Sequence, residues 1–338
     1  MGRTEGIAEE PVTRWLAAHV PELEPPLEFL LIAGGHSNLT YRVDDRKGRS
    51  YVLRRPPLGH VLESAHDMGR EHRIVSALAG SEVPVAPTHC LCQYPEVNGA
   101  PFYVMSFVRG RVLHDADVAA TLPEEERRNL GLHVIDVLAK LHLVEPNDIG
   151  LGDLGRREAY LARQIKRWNR QWEATKTHEI PEMEETSRLL EARMPEQVGS
   201  SIVHGDYRLG NMITGGGRIL ALLDWELCTL GDPLADVGYL LNSWIAPGEG
   251  AAVIAPTAVG GFPGRDELCE RYEAATRRDL GGIDYYRAFS HWRLAAIGQG
   301  VYKRYLVGAM GDTRDIDLDA YKESVHQRAA VALKLLTS

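Results

Sequence analysis

Asp206, Asn211 and Asp224 are the residues of this 338-residue chain whose types and spacing point most directly to chemistry. They fall within VHGDYRLGNMITGGGRILALLDWELCTLGDPLAD, residues 203–236. Read as strand, loop, hairpin around Gly215-Gly216-Gly217 and strand, this stretch brings two carboxylates and a carboxamide to one place. Such a group suits activation of a hydroxyl beside magnesium held against a nucleotide's phosphates. Magnesium takes hard oxygen ligands, and phosphoryl transfer depends on placement and charge neutralisation more than on covalent help. Asp206 then accepts or orients the hydroxyl proton, while Asn211 and Asp224 hold the metal. The plainer alternative is a loop Asp, a turn Asn and a strand-end cap satisfying backbone amides. His204 is expected to brace the loop, because Asp206 already fills the role of base. Asp236 is expected to accept backbone hydrogen bonds from the same loop. Arg208, Trp225, Glu226 and Asp232 are the candidates for contacting the acceptor. For Trp225 and Glu226 the competing role is packing and a surface salt bridge; for Asp232 it is a helix cap.

The elements that must position these residues fall into two kinds. Residues 27–33, 39–43, 50–54, 89–93 and 101–108 read as strands, with a helix over 70–79 between the third and fourth. A short amphipathic helix over 8–20 precedes them, with Trp15 and Leu16 turned inward. After Val108-Arg109-Gly110 the pattern turns helical. Thr121 and Glu124 form a capping box with Pro123 in the first turn, and Leu130, Val134, Leu138 and Leu141 recur at helical spacing. Leu161, Ile165, Trp168 and Trp172 make a second apolar stripe, and residues 266–280, 284–308 and 317–336 read as further helices. The expectation is an α+β protein with a small strand-rich lobe over 1–107 and a helical lobe over 108–338.

HGDYRLGNMI, LLDWE and GDPLADVGYL, in that order, resemble the aminoglycoside phosphotransferase and choline kinase group of small-molecule kinases. The helical tail around YRAFSHWRLAAIGQGVYKRY resembles the branch of this group related to kinase-like domains fused to acyl-CoA dehydrogenases. The resemblance implies a protein-kinase-like two-lobed fold with ATP and Mg2+ in the cleft. It places Gly34, Gly35, Ser37 and Asn38 in the phosphate-covering loop, and it pairs the helix residue Glu71 with the strand cation. Met105 becomes the gatekeeper, with Ser106 to Val108 facing adenine. Where most kinases carry lysine, this chain has Arg54, with Arg55 beside it; strand alternation puts the two on opposite faces. Arginine binds phosphate through two nitrogens but differs from lysine in reach and shape. A protein kinase is disfavoured because GDPLAD follows DWE within a few residues.

Bulk properties narrow the partners. A net charge of −9 argues against nucleic acid. No apolar run is long enough to span a bilayer and no signal peptide is evident, so a cytoplasmic protein is expected. Cys90, Cys92, Cys228 and Cys269 show no metal-binding spacing and read as free thiols. Residues 151–176 hold seven Lys/Arg against three Asp/Glu, against the acidic trend of the chain. That surplus is either a solvated helix face or a surface for an anionic acceptor such as a hydroxyacyl-CoA. The alternatives are an aminoglycoside kinase, whose polycationic substrate would want an acidic cleft, and a non-catalytic nucleotide-binding protein.

Overall fold

Five short β-branched and aromatic runs near the N-terminus pair into one antiparallel sheet, in the order β1-β2-β3-β5-β4. The computed structural model describes residues 4–33, 38–58, 67–250, 255–308 and 317–338. The strands are β1 (Glu28–Ala33), β2 (Leu39–Asp44), β3 (Ser50–Arg55), β4 (Thr88–Cys92) and β5 (Phe102–Ser106), with helices α1 (Glu9–His19), α2 (Met68–Leu78) and α3 (Pro95–Asn98) around them. On β2 the burial alternates with period two, as a half-covered strand requires. Val12 and Leu16 of α1 cover one face by packing on Tyr41, Val43, Leu53, Phe102 and Val104. Val52, Tyr103 and Met105 form the other face, above the cleft.

Alternation along β3 separates the two arginines. Arg54 shares the cleft face with Val52 and approaches Glu71 and Asp224. Arg55 turns to the opposite face, where its guanidinium donates to the carbonyls of Gly6 and Asn98. In α2, Asp67 caps the first turn by accepting from Arg70 N at 2.9 Å. The apolar side of α2, Ile74, Val75 and Leu78, belongs to the core of the helical part of the chain.

That part comprises α4 (Ala116–Ala120), α5 (Glu124–Leu143), α6 (Tyr160–Thr175), α7 (Pro181–Ala192), α8 (Leu234–Ser243), α9 (Arg265–Thr276), α10 (Ile283–Leu306) and α11 (Leu318–Thr337). Two small antiparallel pairs sit among them: β6 (Ser201–Val203) with β9 (Thr229–Gly231), and β7 (Met212–Gly215) with β8 (Arg218–Leu222). The apolar stripes expected on α5 and α6 are buried. The expected capping box is not formed. Thr121 instead closes α4, its hydroxyl donating to Val118 O at 2.7 Å, and α5 starts behind Pro123 without a side-chain cap. The short helix α4, held by its own Asp115 cap, takes the residue that the box would have used.

Helices α8 and α10 cross at Gly238, and α10 also packs on α11 and α6. A Cβ at Gly238 would lie 2.7 Å from the carbonyl carbon of Tyr286 and 2.9 Å from Arg287 N, both backbone atoms. No described helix is long and apolar enough to cross a membrane.

Gly238→Ala is expected to force α8 from α10 and to lower the unfolding free energy by about 1–3 kcal/mol, read by urea unfolding. His291 of α10 gives a pH signature. Its Nδ1 has no hydrogen-bond partner among the described residues. Burial, with Arg328, Arg287 and Arg265 close by, pushes its imidazole down to about 3. An unfolded histidine takes up its proton near about pH 6.5, so the unfolded state holds the extra proton below that value. Stability is therefore lost as pH falls from there towards the folded value. His291→Gln should make the fall shallower by about 1.4 kcal/mol per pH unit between about pH 6 and 4. Identical slopes in the two proteins would contradict this.

Candidate active site

The loop that follows β6 is held from beneath by one buried carboxylate. Asp236, at the start of α8 and 1% exposed, accepts from the backbone N–H of His204 at 2.6 Å and of Gly205 at 2.9 Å. His142 of α5 lies 3.3 Å from the same carboxylate and turns its other nitrogen to Tyr272 Oη at 2.7 Å. Burial works to raise the Asp236 carboxyl, but the hydrogen bonds from His142 and Gly205 outweigh it and hold it below the usual carboxylate range. His204 is fully enclosed. Its Nδ1 accepts from Asp206 N at 3.2 Å and its Nε2 donates to Leu223 O at 3.0 Å, so both nitrogens are engaged in bracing the loop. Gly205 adopts φ +86°, and a Cβ there would lie 2.9 Å from Leu227 Cβ. Only glycine fits that bend.

Asp206 and Asn211 meet across the turn between them. Asn211 Nδ2 donates to Asp206 Oδ2 at 2.6 Å and to its carbonyl oxygen at 2.9 Å. That commits the amide nitrogen and leaves the Asn211 carbonyl oxygen as the donor atom for a cation. Arg208 Nε lies 3.3 Å from Asp206 Oδ1, and the Tyr239 hydroxyl of α8 donates to the same oxygen. Leu223 N donates to Asn211 O at 2.9 Å, which ties the segment before Asp224 to the loop. Asp224 itself sits at φ +66°, in the left-handed region, which Asp tolerates better than most residues.

Above these groups, Arg54 Nη2 lies 3.3 Å from Glu71 Oε1 and 3.6 Å from Asp224 Oδ1. Burial works against its charge, but Glu71 and the neighbouring acids outweigh it, so Arg54 stays protonated. Its Nε is buried without a hydrogen-bond partner among the described residues. Asn38 Nδ2 donates to the other Glu71 oxygen at 3.4 Å. Burial and the neighbouring Asp224 push the Glu226 carboxyl up to about 7.

Two cavities open here. One of about 420 Å³ runs from Ala33, Val52 and Ala86 beneath the sheet, past Met105, Ser106 and Val108, to Arg54, Asn211 and Asp224. The other, about 460 Å³, lies between α2 and α6 and is lined by Asn38, Arg70, Glu71, Gln164, Arg167 and Glu226. Of the basic residues on α6, Arg167 reaches this second cavity, whereas Arg163 turns to the Arg156 carbonyl. Among the described residues no three His, Cys, Asp or Glu side chains converge as a complete metal cage. A carboxylate from Asp224 and the carboxamide oxygen of Asn211 would suit magnesium, which takes hard oxygen ligands and can draw the rest from phosphates and water.

Gly34, Gly35 and Ser37 lie outside the described residues. One of the acceptor candidates, Asp232, is corrected in favour of the helix-cap role also expected of it. Asp232 is fully buried, accepting from Leu234 N and from the Tyr286 hydroxyl at 2.8 Å, so it holds α8 to α10. The Trp225 side chain is 1% exposed and donates to Leu222 O, the packing role that was its competing expectation, and it also lines the second cavity. The sequence reading missed Tyr239. The signal available was its place on α8, three residues after Asp236, which puts both on the helix face below the loop.

A profile of the phosphotransferase enzyme family matches residues 28–271. Acyl-CoA dehydrogenase family member 10 of Mus musculus is 37% identical over 295 residues, 84% of this chain and 27% of that protein. Family member 11 of Gallus gallus is 33% identical over 315 residues, covering 90% of this chain and 40% of that protein. The chain thus spans between a quarter and two-fifths of these curated relatives. Among solved structures, a Ralstonia eutropha protein provisionally assigned as an aminoglycoside phosphotransferase is 36% identical, with a TM-score of 0.84 over 97% of this chain and 98% of that one. The chain belongs to the phosphotransferase enzyme family, with a protein-kinase-like α+β fold.

Proposed function

We propose that this protein moves the γ-phosphoryl group of ATP to the hydroxyl of a small, anionic acceptor, with a hydroxyacyl-CoA as the leading candidate. The observation that carries the reading is the convergence of Arg54, Asn211 and Asp224 at one end of a cavity whose other end is apolar, with Asp206 hydrogen-bonded to Asn211 beside it. Adenine fits between Val52, Ala86 and Met105, against the Ser106–Val108 backbone. Arg54, kept charged by Glu71, presents its unpartnered Nε to the phosphates. Asn211 and Asp224 hold magnesium, which supplies neutralising charge on the phosphates when bound. Asp206 accepts or orients the acceptor's hydroxyl proton, and the backbone bonds to Asp236 fix its position before substrate arrives.

The acceptor assignment draws on the second cavity, where Arg167 and Gln164 of α6 stand across from Glu226. Arg167 stands there beside the carboxylates Asp67, Glu71 and Glu226, and it is the cation an anionic acceptor would engage. The curated relatives are named for acyl-CoA dehydrogenation, which supports an acyl-CoA-linked acceptor. A panel of hydroxyacyl-CoAs and aminoglycosides, assayed with ATP and Mg2+, tests the assignment. Turnover of aminoglycosides alone would overturn it, and ATP binding without turnover of any acceptor would favour a non-catalytic role.

Asp206→Asn should lower kcat by about 10²–10⁴-fold while ATP affinity, read by thermal shift, is retained. Arg54→Met should lower kcat/KM for ATP by about 10²-fold through loss of the cation on the transferring phosphates. Chelation of divalent ions should abolish turnover, with recovery on adding Mg2+ back.

A further inference from the structure

Asp206 carries more hydrogen bonds than orientation alone requires. Asn211 Nδ2 occupies Oδ2 at 2.6 Å, and the Tyr239 hydroxyl occupies Oδ1, with Arg208 Nε 3.3 Å away. The phenol is fixed from several sides. It rises from α8, the helix that also supplies Asp236. Its ring lies 5.3 Å from the Arg293 guanidinium, and Arg293 Nη2 donates to Gly205 O at 2.9 Å. Burial, together with Asp206, pushes the phenol up, so it remains protonated and donates.

An acceptor hydroxyl must donate to this carboxylate to be poised for transfer, and so must any water that takes its place. We propose that Tyr239 holds the acceptor's position on Asp206 Oδ1 until the acceptor binds, and so protects ATP from hydrolysis. The inference rests on the phosphotransfer reading above. In hydrolysis a water oxygen bonds the γ-phosphorus, the bond to the ADP oxygen breaks, and the water proton passes to Asp206, giving ADP and phosphate. In transfer the acceptor oxygen takes the place of water. Water can offer Asp206 one hydrogen bond in exchange for the tethered phenol, whose position is already fixed by the fold. An acceptor has contacts elsewhere in its cleft, and their binding energy displaces the phenol. Tyr239 is thus a positioning residue that discriminates between an acceptor and water.

The experiment compares the full-length wild type with Tyr239→Phe, Asp206→Asn and the double variant. Phosphate release from Mg-ATP is measured without acceptor, alongside ATP affinity and melting temperature. Phenylalanine keeps the ring beneath Arg293, and the last two measurements report whether fold and nucleotide site survive. Tyr239→Phe should hydrolyse ATP about tenfold faster, equivalent to about 1.4 kcal/mol at the barrier, with ATP affinity unchanged. The double variant should return to the rate of Asp206→Asn, which a merely structural role for Tyr239 would not require. Hydrolysis by Tyr239→Phe at or below the wild-type rate, with ATP affinity intact, overturns the role of Tyr239 alone. A wild type that binds no nucleotide overturns the phosphotransfer reading and this inference together.

Discussion

The active-site loop depends on one buried carboxylate. Asp236 sits out of water with two backbone N–H groups and an imidazole around it. Hydrogen bonds to a charged group are worth about 1.5–3 kcal/mol each, and an uncompensated buried charge costs several. The arrangement therefore tolerates little movement: releasing the loop would strand the acid. His204 extends the same restraint upward, linking Asp206 N to Leu223 O and so the loop to the segment that carries Asp224. Asp206, Asn211 and Asp224, on two separate connections, are thus kept in register by buried groups beneath them.

A second restraint joins the sheet to the helices. Arg54 comes from β3 and Glu71 from α2, and the apolar face of α2 is built into the helical core. Arg70, the neighbour of Glu71, donates to the carbonyls of Leu154 and Cys228 at 3.1 and 2.7 Å. The helix thus belongs to both halves of the molecule. It carries Glu71 to Arg54 on one side and closes the second cavity against α6 on the other.

Local spacing made the central part of the site readable from the sequence. Asp206 and Asn211 are separated by a single tight turn, and Asp224 returns to them through a two-stranded hairpin, so their proximity needs no long-range information. Alternation along a strand likewise separated Arg54 from Arg55. The failures came where distant packing decides. Thr121 looks like a cap for α5 until α4 is known to end on it. Asp232 lies near the candidate residues in sequence, yet its bonds to Leu234 N and the Tyr286 hydroxyl hold it between α8 and α10. Tyr239 shares a helix face with Asp236 by its spacing, but it reaches Asp206 only because α8 is pinned beneath the loop, which the spacing alone does not show. The second cavity is built by residues from α2, α6 and the segment after Asp224, which tertiary structure alone brings together.

The backbone at Asp224 bears on how this site can vary. At φ +66° an ordinary L-residue pays about 1–2 kcal/mol, whereas glycine, asparagine and aspartate adopt the conformation readily. Conformation therefore favours those three residues before any chemistry is considered, although Ala159 and Arg277 hold φ +50° and +59° elsewhere in the chain. Of those three, aspartate alone brings a negative charge to a cation. Alanine at this position would strain the bend and remove the carboxylate together, while asparagine would keep the bend and remove only the charge. The two requirements, one steric and one electrostatic, are independent, and aspartate is where they coincide.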